Sequence, residues 1–126
     1  MSGKLFGVFP AFFDLCKLAE IAGAGYVARW TTAHPKQVIK SIMRGLRKRG
    51  TAFIEILSQC PVHEKTSPVT LLKRFKKDTI HISKAKGPTD GKTLIGEFCD
   101  IARREWNKSY QEVIDQFVVE NRKIDE

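Results

Sequence analysis

Apolar positions Leu15, Leu18, Ala19 and Ala22 share one side of a helix over residues 14–22. Asp14 can cap it, and Gly23-Ala24-Gly25 can stop it. Tyr26–Thr31 is a β-favouring run bounded by glycines and polar residues, which predicts a strand. Pro35 then opens a helix whose apolar stripe is Val38, Ile39, Ile42, Met43 and Leu46, closed by Gly50. Lys36, Lys40, Arg44, Arg47 and Lys48 are expected to face water. Ala52–Leu57 predicts a second strand, so strand, helix and strand follow with tight connections. Such a βαβ unit implies parallel strands and a right-handed crossover.

Beyond residue 60 the pattern is looser. Ser67 and Pro68 start a short helix with Leu71, Leu72 and Phe75 inward, and residues 79–83 alternate like an edge strand. Residues 84–92, with Gly87-Pro88 and Asp90-Gly91, read as a turn-rich connection. A last helix over residues 101–121 carries Trp106, Tyr110, Val113, Ile114 and Phe117 on one side. Residues 1–11 carry no periodicity and are left unassigned. Lys4 and the apolar residues after it imitate a secretory signal, but Pro10 and the lack of a small-residue cleavage site argue against one.

A chain of 126 residues suits one domain with a modest core. No stretch approaches the roughly 20 apolar residues of a membrane-spanning helix, so the expectation is a soluble, cytoplasmic protein with no membrane partner. Three widely spaced cysteines, Cys16, Cys60 and Cys99, do not form a disulfide framework and suit a reducing compartment.

The formal charge of +8 is uneven: no acidic residue lies between Glu20 and Glu55, whereas from Glu97 onward eight acidic residues face five basic ones. A one-sided basic surface favours an acidic partner, be it protein, nucleic acid or phosphorylated ligand. Arg44-Gly45-Leu46-Arg47-Lys48-Arg49 could serve a small nucleic-acid-binding domain, but no aromatic stacking platform accompanies it, so that partner is disfavoured. In open parallel sheets ligands bind beyond the carboxyl ends of the strands, where Ser58-Gln59-Cys60-Pro61 lies. His34 is expected to shape the strand-to-helix turn, and Cys16 and Cys99 to be packing residues. His63 and His81 show no metal-ligand spacing.

Several ordered segments carry a family resemblance: Phe13-Asp14-Leu15-Cys16-Lys17-Leu18-Ala19-Glu20, Tyr26-Val27-Ala28-Arg29, Thr31-Thr32-Ala33-His34-Pro35 and Phe53-Ile54-Glu55-Ile56-Leu57-Ser58-Gln59-Cys60-Pro61. In this order they resemble the thiamine diphosphate-binding β subunits of 2-oxoacid:ferredoxin oxidoreductases, particularly the 2-oxoglutarate type. The likeness covers about residues 13–72, with an echo at Leu94-Ile95-Gly96-Glu97-Phe98.

The resemblance implies an α/β fold that is part of a thiamine diphosphate-binding fold, with a parallel βαβ core and a carboxyl-terminal helical extension. Its division would be residues 1–11 unassigned, 12–62 the βαβ-containing part and 63–126 the extension. It implies a complex that decarboxylates a 2-oxoacid, makes an acyl-coenzyme A and sends electrons through an iron–sulfur cluster to ferredoxin. Partners would be the α subunit, an amino-terminal β segment, ferredoxin and coenzyme A. The cofactors would be thiamine diphosphate with Mg and a [4Fe-4S] cluster in the intact complex, and none in this chain alone.

Cys60 matches the cluster-ligating cysteine of the family's Leu-Ser-x-Cys-Pro-like segment. The family's C-x-x-C pair and Gly-Asp-Gly motif have no counterpart here, and three cysteines do not complete a four-cysteine cluster. The expectation is a fragment, a truncated gene or one half of a split subunit, inactive by itself. The basic helix face would attract ferredoxin or the phosphates of coenzyme A. As another reading, the last helix would cover a partner as a structural interface module.

Overall fold

The computed structural model describes residues 13–87, 89 and 91–122. The unassigned residues 1–11 lie outside the described residues, as do Pro88 and Asp90 of the expected connection. Helix α1 (Leu15–Ile21) is capped by Asp14, whose carboxylate accepts from the Lys17 amide at 3.3 Å. Strand β1 (Tyr26–Thr31), helix α2 (Pro35–Arg47) and strand β2 (Ala52–Leu57) follow, with β1 and β2 parallel and Tyr26 in register with Ala52. The expected βαβ unit is present.

Helices α3 (Pro61–Glu64) and α4 (Pro68–Asp78) lead to the short strand β3 (Thr79–His81). The expected edge strand over residues 79–83 ends at His81, because Ile82–Lys84 turns into a 3-10 helix whose entry is held by the Ser83 amide donating to His81 Nδ1.

Strand β4 (Thr93–Asp100) has no counterpart among the expected elements. It lies between β1 and β3 in a sheet ordered β2-β1-β4-β3, antiparallel to β1 and parallel to β3. The sheet is therefore mixed. Two features broke the alternation that reveals a strand: Gly96 has φ +134°, and the register slips between Val27 and Ala28, leaving Phe98 as an extra residue. Because β4 runs to Asp100 and the Ile101 amide donates to Gly25, helix α5 (Trp106–Arg122) begins five residues later than the expected 101.

The layers on the two faces of β1 are distinct. Cys16, Ala24, Val27 and Cys99 form the core under α1, with Phe53 against it. Tyr26, Ala28, Trp30 and Ile95 form the core under α2, with Val38 and Ile54 against it.

Of the stripe expected to bury α2, Val38 packs on the core, but the rest of the stripe does not. Ser41 and Gly45 face the sheet, whereas Leu46 is 82% exposed and Ile39 and Met43 are also exposed. Close approach explains the choice: a Cβ on Gly45 would lie 3.2 Å from Ala52 Cβ and 3.3 Å from Ile54 Cδ1. Lys36, Lys40, Arg44 and Arg47 are exposed as expected, and Lys48 is half-buried. Among the described residues, no helix is long and apolar enough to cross a membrane.

Candidate functional site

The carboxyl ends of β1 and β2 deliver two loops to one place. The Thr32 amide donates to the Leu57 carbonyl at 3.0 Å, and Thr32 Oγ1 donates to Gln59 Oε1 at 2.5 Å. These bonds hold Ser58, Gln59 and Cys60 beside Thr32. Cys60 stands at the cap of α3, where its carbonyl accepts from the Glu64 amide and its thiol is left exposed.

His34 shapes the turn between β1 and α2, as expected. Thr31 is fully buried, and its Oγ1 accepts from the Ala33 amide at 3.2 Å and lies 2.8 Å from His34 Nδ1. In the neutral ring, which partner donates between Thr31 Oγ1 and Nδ1 is set by the tautomer. Burial, followed by the charges of Lys76 and His81, lowers the His34 pKa and favours that neutral ring. Trp30 lies beside both rings, with centroids 6.4 Å from His34 and 5.7 Å from His81.

The other two cysteines are in the core, in keeping with packing. Burial pushes the Cys16 thiol up to about 12, with Glu55 Oε2 3.4 Å from the sulfur. Cys99 donates weakly to the Ala24 carbonyl. Cys60 is thus the accessible thiol among the described residues. No group of three or more His, Cys, Asp or Glu among the described residues could hold a metal ion. The chain does not by itself present the four thiolates a cubane cluster takes.

Two polar networks, not read from the sequence, fix the sheet under this site. Arg29, with a side chain 11% exposed, joins Asp14 at 2.6 Å and Glu55 at 2.5 Å, and its guanidinium lies over Phe98. Burial opposes ionisation of Asp14, but hydrogen bonds from Arg29 and the Lys17 amide outweigh it and lower its pKa. On the other face, Ser41 Oγ lies 2.7 Å from Trp30 Nε1 and 2.9 Å from Tyr26 Oη, which is 2.8 Å from Glu97 Oε1. Since Tyr26 has one proton and Glu97 only accepts, the chain runs from indole to Ser41 to Tyr26 to carboxylate. Arg44 then pairs with Glu97 and Asp100, and Lys48 with Asp100, so part of the expected basic face is neutralised by β4.

The 2-oxoglutarate synthase subunit KorB of Methanocaldococcus jannaschii is 42% identical over 120 positions, covering 88% of this chain and 44% of the relative. The protein of the same name from Methanothermobacter marburgensis is 44% identical over 109 positions, covering 79% of this chain and 38% of the relative. That from Methanothermobacter thermautotrophicus is 38% identical over 120 positions. This chain is a partial relative of the 2-oxoglutarate synthase subunit KorB. It spans less than half the length of the curated relatives it matches. No family model and no solved structure matches it. The resemblance read over about residues 13–72 is thus borne out at the level of this subunit. Tyr26 and Arg29, quoted for the resemblance, act here as anchors of the sheet.

Proposed function

We propose that the chain is a working part of the β subunit of a 2-oxoglutarate:ferredoxin oxidoreductase, contributing one wall of its cofactor crevice and the thiolate of Cys60. In the assembled complex the acid loses carbon dioxide, the acyl group passes to the thiol of coenzyme A, and the electrons leave toward ferredoxin. Thiamine diphosphate with Mg supplies the decarboxylation chemistry when bound. The chain's own residues do not fit the complete set for either cofactor, so catalysis needs the α subunit and further β-subunit polypeptide in the same cytoplasmic complex. In this reading residues 12–62 form the crevice wall and residues 63–126 an extension.

The observation that supports this is the placement of Cys60. It is an exposed thiol beyond the carboxyl end of β2, in a loop pinned to β1 through Thr32 and Gln59, where α/β sheets hold their ligands. Its role is to bind and orient, as one ligand among thiolates supplied by other polypeptide.

The test is anaerobic expression with iron and sulfide, alone and with the companion subunits. Iron content, the cluster's electron paramagnetic resonance signal and 2-oxoglutarate-dependent dye reduction are recorded. Iron and activity that appear only with partners, and that Cys60→Ala removes, support the proposal. Iron retained in full by Cys60→Ala refutes the ligand role, and absence of activity in every combination refutes the enzymatic one.

A further inference from the structure

The end of the sheet opposite Cys60 gathers positive charge that the fold leaves unpaired. Strands β1 and β2 begin at Tyr26 and Ala52, and just ahead of them Gly25 is held from two sides. Its amide donates to the Thr51 carbonyl at 2.9 Å, and its carbonyl accepts from the Ile101 amide at 2.8 Å. The turn from α2 to β2, Lys48-Arg49-Gly50, is thereby fixed against the connection from β4 to α5, residues 101–105. The six residues of β1 put this place about 20 Å from the Cys60 loop.

The two glycines let two arginines meet. A Cβ on Gly50 would lie 3.1 Å from Arg103 Cβ, and a Cβ on Gly25 would lie 3.2 Å from Arg103 Cγ and 3.3 Å from the Arg49 carbonyl oxygen. The Arg103 stem therefore fills the space that the missing side chains leave, beside the Arg49 backbone. A cleft of about 410 Å³ opens there, lined by Arg49, Arg103, Arg104, Lys108, Glu105 and Glu112. Arg104 and Glu112 bind each other at 2.7 and 2.9 Å. Arg49, Arg103 and Lys108 are exposed, and none of the three has an ion-pair partner among the described residues. Glu105 is then the one carboxylate left in the cleft against these three cations.

Exposed cations ordinarily spread apart in solvent. Here backbone hydrogen bonds hold the stems of two like charges together, which raises the local potential and favours an anion. A guanidinium fork matches the oxygens of one phosphate. Two forks and an ammonium suit two linked phosphates better than a single carboxylate, and the volume is that of a small-ligand cleft.

We propose that this cleft binds a diphosphate group, free or carried by a nucleotide, with Arg49 and Arg103 each taking one phosphate and Lys108 adding the third positive charge. The site is separate from the crevice at Cys60 and does not depend on the KorB-like reading. Its consequence is mechanical. Helix α5 has no extensive contact with the other described elements, and a diphosphate joining Arg49 on the turn to Lys108 on α5 would fasten the helix to the sheet.

The experiment titrates the full chain with pyrophosphate and, separately, with ADP in about 150 mM salt, where diffuse attraction is screened. Calorimetry gives the affinity and NMR the amides that respond. The expected result is saturable binding at one site, with shifts centred on Arg49, Gly50, Arg103 and Lys108. Arg49→Gln and Arg103→Gln should each weaken binding at least about tenfold, the loss of one charge-assisted pair. The double variant Lys36→Gln/Lys40→Gln removes two charges from α2 outside the cleft and should weaken it less than about twofold. If Arg103→Gln does not fold, Arg49→Gln, at an exposed side chain, carries the test alone.

Tighter binding of ADP than of pyrophosphate marks a nucleotide as the ligand, and the reverse order marks a free diphosphate. Weakening by the α2 double variant as large as that by Arg49→Gln would overturn the proposal, since net charge alone would then explain the binding. Failure of both diphosphates to saturate would overturn it too, including the case in which a short DNA duplex binds in their place.

Discussion

Replacing Arg29 by methionine tests whether charge or packing holds β1, α1 and β2 together. The guanidinium is nearly buried between Asp14 and Glu55, and the substitution keeps a long apolar stem while removing both ion pairs. Taking one partner from a buried pair costs about 3–5 kcal/mol, chiefly because the other charge is left without compensation. Glu55, with a side chain 18% exposed, carries most of that penalty, while Asp14 at 33% is partly relieved by water. Loss of the cation over Phe98 adds about 0.5 kcal/mol.

The expected total is about 3 kcal/mol at pH 7, measured by urea unfolding through tryptophan fluorescence, since Trp30 is buried in the core. Acid should close the gap. The lowered pKa of Asp14 means that its stabilisation is fully present above the ordinary value of 3.8 and is lost as pH falls through the depressed folded value. The difference between wild type and Arg29→Met should therefore narrow as pH falls below 3.8. Adding Glu55→Gln to Arg29→Met should recover about 1–2 kcal/mol at pH 7, because the orphaned charge is gone. A cost below about 1 kcal/mol, or a gap that does not narrow as pH falls below 3.8, would refute an electrostatic role and leave only packing.

Other outcomes follow from single positions. Gly96→Ala should cost about 2 kcal/mol or more in urea unfolding, because φ is +134° and the new Cβ would lie 2.9 Å from Ile82 Cγ2; Gly87→Ala, with nothing within 4 Å, should be near neutral. His34, whose pKa is lowered in the fold, contributes stability that is present above the ordinary value of 6.5 and lost as pH falls through the folded value. His34→Gln should flatten that part of the stability-versus-pH curve, and an unchanged curve would show that the ring is not held neutral.

How much of this was legible depended on whether the side-chain pattern alone decided the element. Tyr26–Thr31 and Ala52–Leu57 were readable to the residue because glycines and polar turns bracket uninterrupted β-formers. Strand β4 was not, because a positive-φ glycine and a bulge interrupt it and its place is set by pairing with β1, more than sixty residues away. Cys60 could be placed from its position after a strand, whereas Arg29 could not be assigned its partners. Asp14 and Glu55 meet it only once α1 and β2 pack on β1.

Helix α2 shows a different limit. Its apolar stripe suggested that Ile39, Met43 and Leu46 bury, yet the sheet is met by Ser41 and Gly45. Ser41 is needed to accept from the Trp30 indole, and Gly45 to let the helix come close to Ala52 and Ile54. A helix with a small-residue side against its own sheet and a large apolar side away from it is patterned for two covered surfaces. Of the stripe, Val38 packs on the core as read, while Ile39, Met43 and Leu46 are exposed.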